Sequence, residues 1–442
     1  MALSSCQRGC SSRTVGIARS ELRTSSSRGC PCAPCASRSP WGAAAGAAAG
    51  VLLAASPFDA HAVSQLDIPA TSPNEAVQPL AGLEPNPSTN ARSILRNALP
   101  VENKPIREVQ ANLEQINEDL RIPGVNISGV QKAANKSMKI MSKQRKKIED
   151  DIVSDSARPA IDKLDSGLQE LKTIADNNDK QRIPVKQQEL LGYVSDIEQA
   201  MIEDFPFEVP EELSSLPQLK GRATVDANVR VKDNSEISSG TLRILLDGYN
   251  APVTAGNFVD LVQRKFYDGL SVQRADGFVV QTGDPEGSAD GFVDPATNEV
   301  RRIPFEVMVR GDKAPTYYET LEEQGRPRAQ PALPFNAFGT LAMARSEFET
   351  NSASSQIFWL LKEAELTPSG ANILDGRYAV FGYLVDGQNI LNELKVGDTI
   401  ESMKVVSGSE NLVNSSLNRS VGSNGNGSES TATGDEQQAG SA

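Results

Sequence analysis

The sequence predicts a multidomain chain: an N-terminal α-helical bundle followed by an antiparallel β-barrel with two capping helices. Three observations lead there. Apolar residues recur at helical spacing between 91 and 203, short β-type runs take over from Ala223, and proline-punctuated stretches without period separate the parts. A chain of 442 residues has room for two or three such domains.

The first 62 residues read as a two-part targeting segment. Residues 1–40 hold six arginines, many serines and one acid, Glu21, the composition of an organelle transit peptide. Gly42 to Ala55 is a run of fourteen small and apolar residues, followed by Ala60-His61-Ala62, a signal-peptidase pattern. The run is shorter than the roughly 20 residues that span a bilayer. A transit peptide in series with a signal peptide is the address of the chloroplast thylakoid lumen, and it predicts a mature chain starting at Val63. The protein is then expected to be peripheral to the thylakoid membrane at most.

Residues 63–90 read as a linker, with prolines at 69, 73, 79, 85 and 87. Ile106, Val109, Leu113, Ile116 and Leu120 then step by three and four, which puts them on one helical stripe that Pro123-Gly124 ends. Val130, Ala134, Met138, Met141, Ile148 and Ile152 form a second stripe, with Lys143 to Lys147 on its outer, solvated side. Pro159 either starts a third helix or kinks a longer one, and Ile161, Leu164, Leu168, Leu171 and Ile174 continue beyond it. Leu190, Val194, Ile197 and Met201 make the last stripe. Each stripe is too short for a coiled coil, so the expectation is an antiparallel bundle over 91–203.

A Pro-rich linker, 204–222, leads into the barrel, 223–408. Its strands are expected at Ala223–Val231, Gly240–Leu246, Gly277–Gln281, Gly339–Ala344, Ser355–Leu361, Ala379–Val385 and Ser402–Val406. Its two helices are expected near Val253–Gln263 and Asn389–Lys395. Residues 409–442 are Ser, Gly and Asn with few apolar groups, which predicts a disordered tail.

Composition narrows the chemistry. The net charge is −13, the wrong sign for a general nucleic-acid binder. All five cysteines and the single histidine, His61, fall within the first 62 residues. Beyond them disulfides, thiol catalysis, the usual zinc ligand sets and a Ser-His triad are excluded, and no metal or other cofactor is expected.

The informative window is Phe266-Tyr-Asp-Gly-Leu-Ser-Val-Gln-Arg274-Ala-Asp-Gly-Phe278-Val-Val-Gln281-Thr-Gly-Asp284. Around it stand Ala251-Pro-Val-Thr-Ala-Gly-Asn-Phe258, Gly339-Thr-Leu-Ala-Met-Ala344-Arg, Ser354-Ser-Gln356-Ile-Phe358 and Leu374-Asp-Gly-Arg-Tyr378-Ala-Val-Phe-Gly382. Five ordered blocks over about 190 residues resemble the cyclophilin family of peptidyl-prolyl isomerases. The resemblance implies a cyclophilin-like barrel in which Arg274, Phe278 and Gln281 are the catalytic residues. Val279, Ala344, Arg345, Gln356, Phe358, Leu374 and Tyr378 are the implied substrate-binding residues. With the leader, it implies a lumenal member whose partners are lumenal segments of photosystem II proteins, and whose helical bundle contacts the barrel.

Isomerisation suits these residue types. Twisting a prolyl amide against a barrier of about 18–20 kcal/mol localises the lone pair on nitrogen. A donor that meets this nitrogen stabilises the twisted state more than the planar one. A guanidinium, always charged and rich in fixed donors, fits the task. The chain also departs from the family pattern. Three residues separate Arg274 from Phe278 where four are usual, and a one-residue change beside a strand can turn a side chain to the opposite face. Gln273 and Tyr378 replace histidines, Val279 replaces a methionine, Ile373 stands where an aromatic is frequent, and Arg345 replaces an asparagine. The stretch from Asp284 to Gly339 is longer than in compact members. The expectation is a retained peptide cleft with weak or absent isomerase activity.

Overall fold

The computed structural model describes residues 88–121, 126–232, 234, 237–362 and 372–415. The expected leader, most of the first linker, the Pro123-Gly124 helix stop and the tail beyond 415 lie outside the described residues.

Helix α1 (Ala91–Asn97) precedes four long helices: α2 (Lys104–Arg121), α3 (Ile127–Asp150), α4 (Arg158–Asp176) and α5 (Arg182–Gln199). Three of these starts have a local cause. The Asn103 and Asn126 side chains accept the Ile106 and Gly129 amides, and Pro159 sits in the first turn of α4, where its missing N–H costs nothing. The four stripes meet in one core: Ile106, Val109, Leu113 and Ile116 against Val130, Met141, Leu164, Leu168, Leu190 and Val194. Helix α2 packs on both α3 and α5, which closes the bundle. Lys143, Lys146 and Lys147 are exposed.

One assignment changes. Helix α1 was expected in the bundle, but Ile94 and Leu95 are buried in the barrel's core. A seven-residue helix carries too little period to reveal which neighbour it serves. Its carbonyls are held from both sides. Arg222 in the barrel donates to Leu95 O and the Asn250 amide to Ala98 O at 2.9 Å. From α2, Arg107 donates to Arg96 O at 2.9 Å and to Leu99 O at 2.6 Å.

The barrel's eight strands are β1 (Arg222–Arg230), β2 (Ser239–Asp247), β3 (Val272–Ala275), β4 (Val279–Thr282), β5 (Thr340–Met343), β6 (Ile357–Leu360), β7 (Val380–Asp386) and β8 (Thr399–Ser407). Their spatial order is β8-β1-β2-β7-β5-β6-β4-β3, antiparallel throughout. The outer strands meet through a bridge between Ser271 and Thr399, so the sheet closes on itself. Two helices cap it, α6 (Pro252–Gln263) and α7 (Gln388–Glu393), near their expected positions. Phe258, Tyr267, Trp359, Phe381 and Tyr383 fill the interior.

Further expectations are corrected. The segment 409–415 is ordered, because Leu412–Val413 pairs with Gln218–Leu219 and buries Leu412 in the barrel core. That pairing also gives the second linker structure, with Leu213 and Leu219 buried. Strand β3 was missed altogether, since four residues with a bulge show no alternation. The sequence expectation also began β4 at Gly277, two residues before the ladder does; Gly277 instead sits in the turn.

The long stretch between Asp284 and Gly339 is pinned to the barrel by buried charge. Glu306 is 1% exposed and accepts the Val253 and Thr254 amides and the Thr254 hydroxyl, so it caps the start of α6. Arg301 donates to Asp260 at 2.7 Å, which also accepts from Arg264 and Ser415.

Candidate active site

All ten sequence-selected residues line a single cleft of about 440 Å³ on the barrel. Asp290, Ser346, Ser352 and Ser354 complete the lining, and no bundle residue contributes to it.

The β3–β4 hairpin places the polar wall. A bulge at Gln273 shifts the register, so Arg274 pairs across the ladder with Gln281 and Ala275 with Val280. The turn is Asp276-Gly277-Phe278-Val279, with Gly277 at φ +78°, the first central position of a tight hairpin where glycine is at ease. The missing residue is thus lost from the turn, and Arg274, Phe278 and Gln281 still line the same cleft.

Arg274 is about half exposed and is not idle: its guanidinium grips Asp276 at 2.6 Å. The other Asp276 oxygen accepts the Phe278 and Val279 amides at 2.9 and 3.0 Å. The Val279 and Phe278 amides, with the guanidinium, hold the Asp276 carboxyl down to about 2.

Behind them runs an amide relay. Gln281 donates to Gln356 at 2.9 Å, and Gln356 donates to Asp284 and Asp290 at 3.1 and 3.2 Å. This fixes the amide orientations: Gln281 keeps its carbonyl for a ligand N–H.

The apolar floor is aromatic. Phe358, 6% exposed, stacks on Phe335 at 6.0 Å and meets Tyr378 edge-on at 5.5 Å. Val279 and Leu374 flank it, and Phe278 stands at the mouth, 37% exposed. Ile373 is 66% exposed and does not line the cleft, so the aromatic absent at that position is not replaced from within the chain. Arg345 lies over the Tyr378 ring at 5.0 Å.

Sequence reasoning missed Asp276, Asp290 and Phe335. The Ala-Asp-Gly turn was the available signal for Asp276. Nothing local marks Phe335, which reaches Phe358 only through the fold. Among the described residues no cluster of His, Cys, Asp or Glu could hold a metal ion, and no helix is long and apolar enough to cross a membrane.

A closed antiparallel barrel with two capping helices, an arginine–glutamine wall and an aromatic floor defines a cyclophilin-type fold with a peptide-sized cleft. Residues 229–411 match the family described as cyclophilin type peptidyl-prolyl cis-trans isomerase/CLD, and residues 90–202 match the CYP38-like, PsbQ-like domain. The chain belongs to the CYP38-like group of cyclophilin-type peptidyl-prolyl cis-trans isomerases.

It is 51% identical over 364 residues to the chloroplastic peptidyl-prolyl cis-trans isomerase CYP38 of Arabidopsis thaliana, covering 81% of this chain and 82% of the relative. It is 43% identical to a Synechocystis protein whose name gives the same activity in the thylakoid lumen, covering 74% of this chain and 85% of the relative. A third relative, the chloroplastic isomerase CYP37 of Arabidopsis thaliana, is 32% identical, over 78% of this chain and 75% of its own. The compartment is the chloroplast thylakoid lumen.

Proposed function

We propose that the cleft binds proline-containing lumenal segments of photosystem II proteins and assists the assembly, repair and stability of that complex, with weak or absent isomerase activity. The observation that carries this reading is the Arg274–Asp276 grip. Catalysis by a guanidinium depends on a donor being free to meet the twisted prolyl nitrogen, and small displacements are costly. Here two of the donors are spent on a carboxylate of the same turn. Binding asks less. The Phe358–Tyr378–Phe335 floor takes a proline ring, and the Gln281 carbonyl, oriented through Gln356, takes a backbone N–H.

A second reading, a working lumenal foldase, is favoured by the bulge at Gln273, which keeps Arg274 directly across from Gln281. Exchange spectroscopy by NMR on proline tetrapeptides separates the two, using the full-length protein and Arg274→Ala. Binding without turnover in both proteins supports the first reading. Turnover that disappears in Arg274→Ala overturns it in favour of the second. Titration with peptides from photosystem II lumenal loops, each against its proline-to-alanine counterpart, tests the client assignment, and equal binding of the two would sink it.

A further inference from the structure

We propose that Arg345 forms a carboxylate subsite beside the aromatic floor, so that the cleft selects proline segments with an acidic residue close to the proline. This rests on the reading of the cleft as a peptide site and names the class of segment it takes.

Arg345 follows strand β5 and Ala344, and its guanidinium is fixed. Nε and Nη2 donate to Arg377 O at 3.1 and 3.0 Å, and Nη1 donates to Ser346 O at 2.9 Å and to Glu347 O at 3.3 Å. Its plane lies over Tyr378, whose ring in turn meets Phe358 edge-on. The cation is therefore one ring away from the floor that takes the proline. A charge fixed before binding loses little conformational freedom when a ligand arrives.

The partners of this guanidinium are neutral carbonyls, and they leave its charge uncompensated. The neighbouring arginines differ. Arg274 grips Asp276, Arg377 pairs with Glu322 at 2.9 Å, and Arg302 approaches Asp290 at 3.7 Å. Arg345 pairs with no carboxylate among the described residues. Glu323 feels its field, but that carboxylate is turned to the Thr320 amide, the Thr320 hydroxyl and Thr350. One N–H, on Nη2, has no partner in these bonds, and a single charge-assisted hydrogen bond from it to a carboxylate is stronger than one to a neutral acceptor. The residue is half-buried, and solvent and salt still limit the gain to a modest factor.

The test is an NMR titration of the full-length protein with two proline tetrapeptides, identical except for Glu or Gln next to the proline, and each placed on either side in turn. In low salt, one Glu peptide binds about fivefold tighter than its Gln counterpart, about 1 kcal/mol. Arg345→Gln brings that ratio to about one, as does raising the salt several-fold, and Arg345→Glu reverses it. Arg345→Lys, which keeps the charge and loses the fixed guanidinium, falls between and guards against a folding defect in the other variants. Equal binding of the Glu and Gln peptides by the unaltered protein overturns the proposal, as does a preference that survives in Arg345→Gln. If no proline peptide binds at all, the peptide-site reading itself falls, and the subsite with it.

Discussion

Arg274 and Asp276 are joined through a single carboxylate oxygen, with Nε and Nη2 at 2.7 and 2.6 Å from Oδ2. The oxygen left over holds the turn through the Phe278 and Val279 amides. One side chain therefore shapes the hairpin and restrains the cation of the cleft.

Asp276→Asn separates these two tasks. The amide oxygen still accepts the turn amides, but the charge that restrains Arg274 is gone. Turnover of a proline tetrapeptide should rise by about tenfold, the equivalent of about 1.4 kcal/mol. Unchanged turnover at unchanged thermal stability would show that the grip does not limit activity. The carboxyl is depressed to about 2, so its stabilising contribution is present above its ordinary value of 3.8 and is lost as pH falls through about 2. Neutral and mildly acidic pH leave the grip intact.

Leu95 is 1% exposed, and its partners lie in the barrel rather than the bundle. Leu95→Ala should cost about 2–5 kcal/mol, with the loss falling on the barrel. Hydrogen exchange locates it. Faster exchange in β2 and β7, with α3 and α4 unaffected, is the expected pattern, and the reverse pattern would return α1 to the bundle.

Glu198 on α5 is fully buried, bonded through one oxygen to Arg107 at 3.2 Å, and its Oε2 has no hydrogen-bond partner. Burial outweighs the attraction of Arg107 and Arg96 and raises its carboxyl from 4.5 to about 7. A raised carboxyl binds its proton more tightly in the folded chain. The stabilisation is complete below the ordinary value and is lost as pH rises through about 7. Urea denaturation should therefore give a more stable protein at pH 5.5 than at pH 7.5, and Glu198→Gln should flatten that difference. A slope that persists in Glu198→Gln would assign it to another group.

The bundle was legible because its four stripes keep the helical period for the full length of each helix, from Ile106 to Ile197. The barrel strands were legible where they alternate or run apolar over seven or more residues, as β1 and β2 do. Short pieces were not. Helix α1, strand β3 and the Leu412–Val413 ladder owe their structure to residues far away in sequence, and local pattern cannot supply that. The ten cleft residues were found from ordered motifs, and the fold brings them to one place. What the motifs withheld was connectivity: that Asp276 grips Arg274, that Gln356 aims Gln281, and that Phe335 backs Phe358.

The bridge between Ser271 and Thr399 has a consequence beyond architecture. An open sheet offers its rim of unpaired amides to any extended chain, including a second copy of itself. Here the eight-stranded ladder returns to its start, so the barrel presents no such rim to an extended chain or to a second copy. A barrel closed in this way can stay at high concentration without lending its ladder to fibres of its own making.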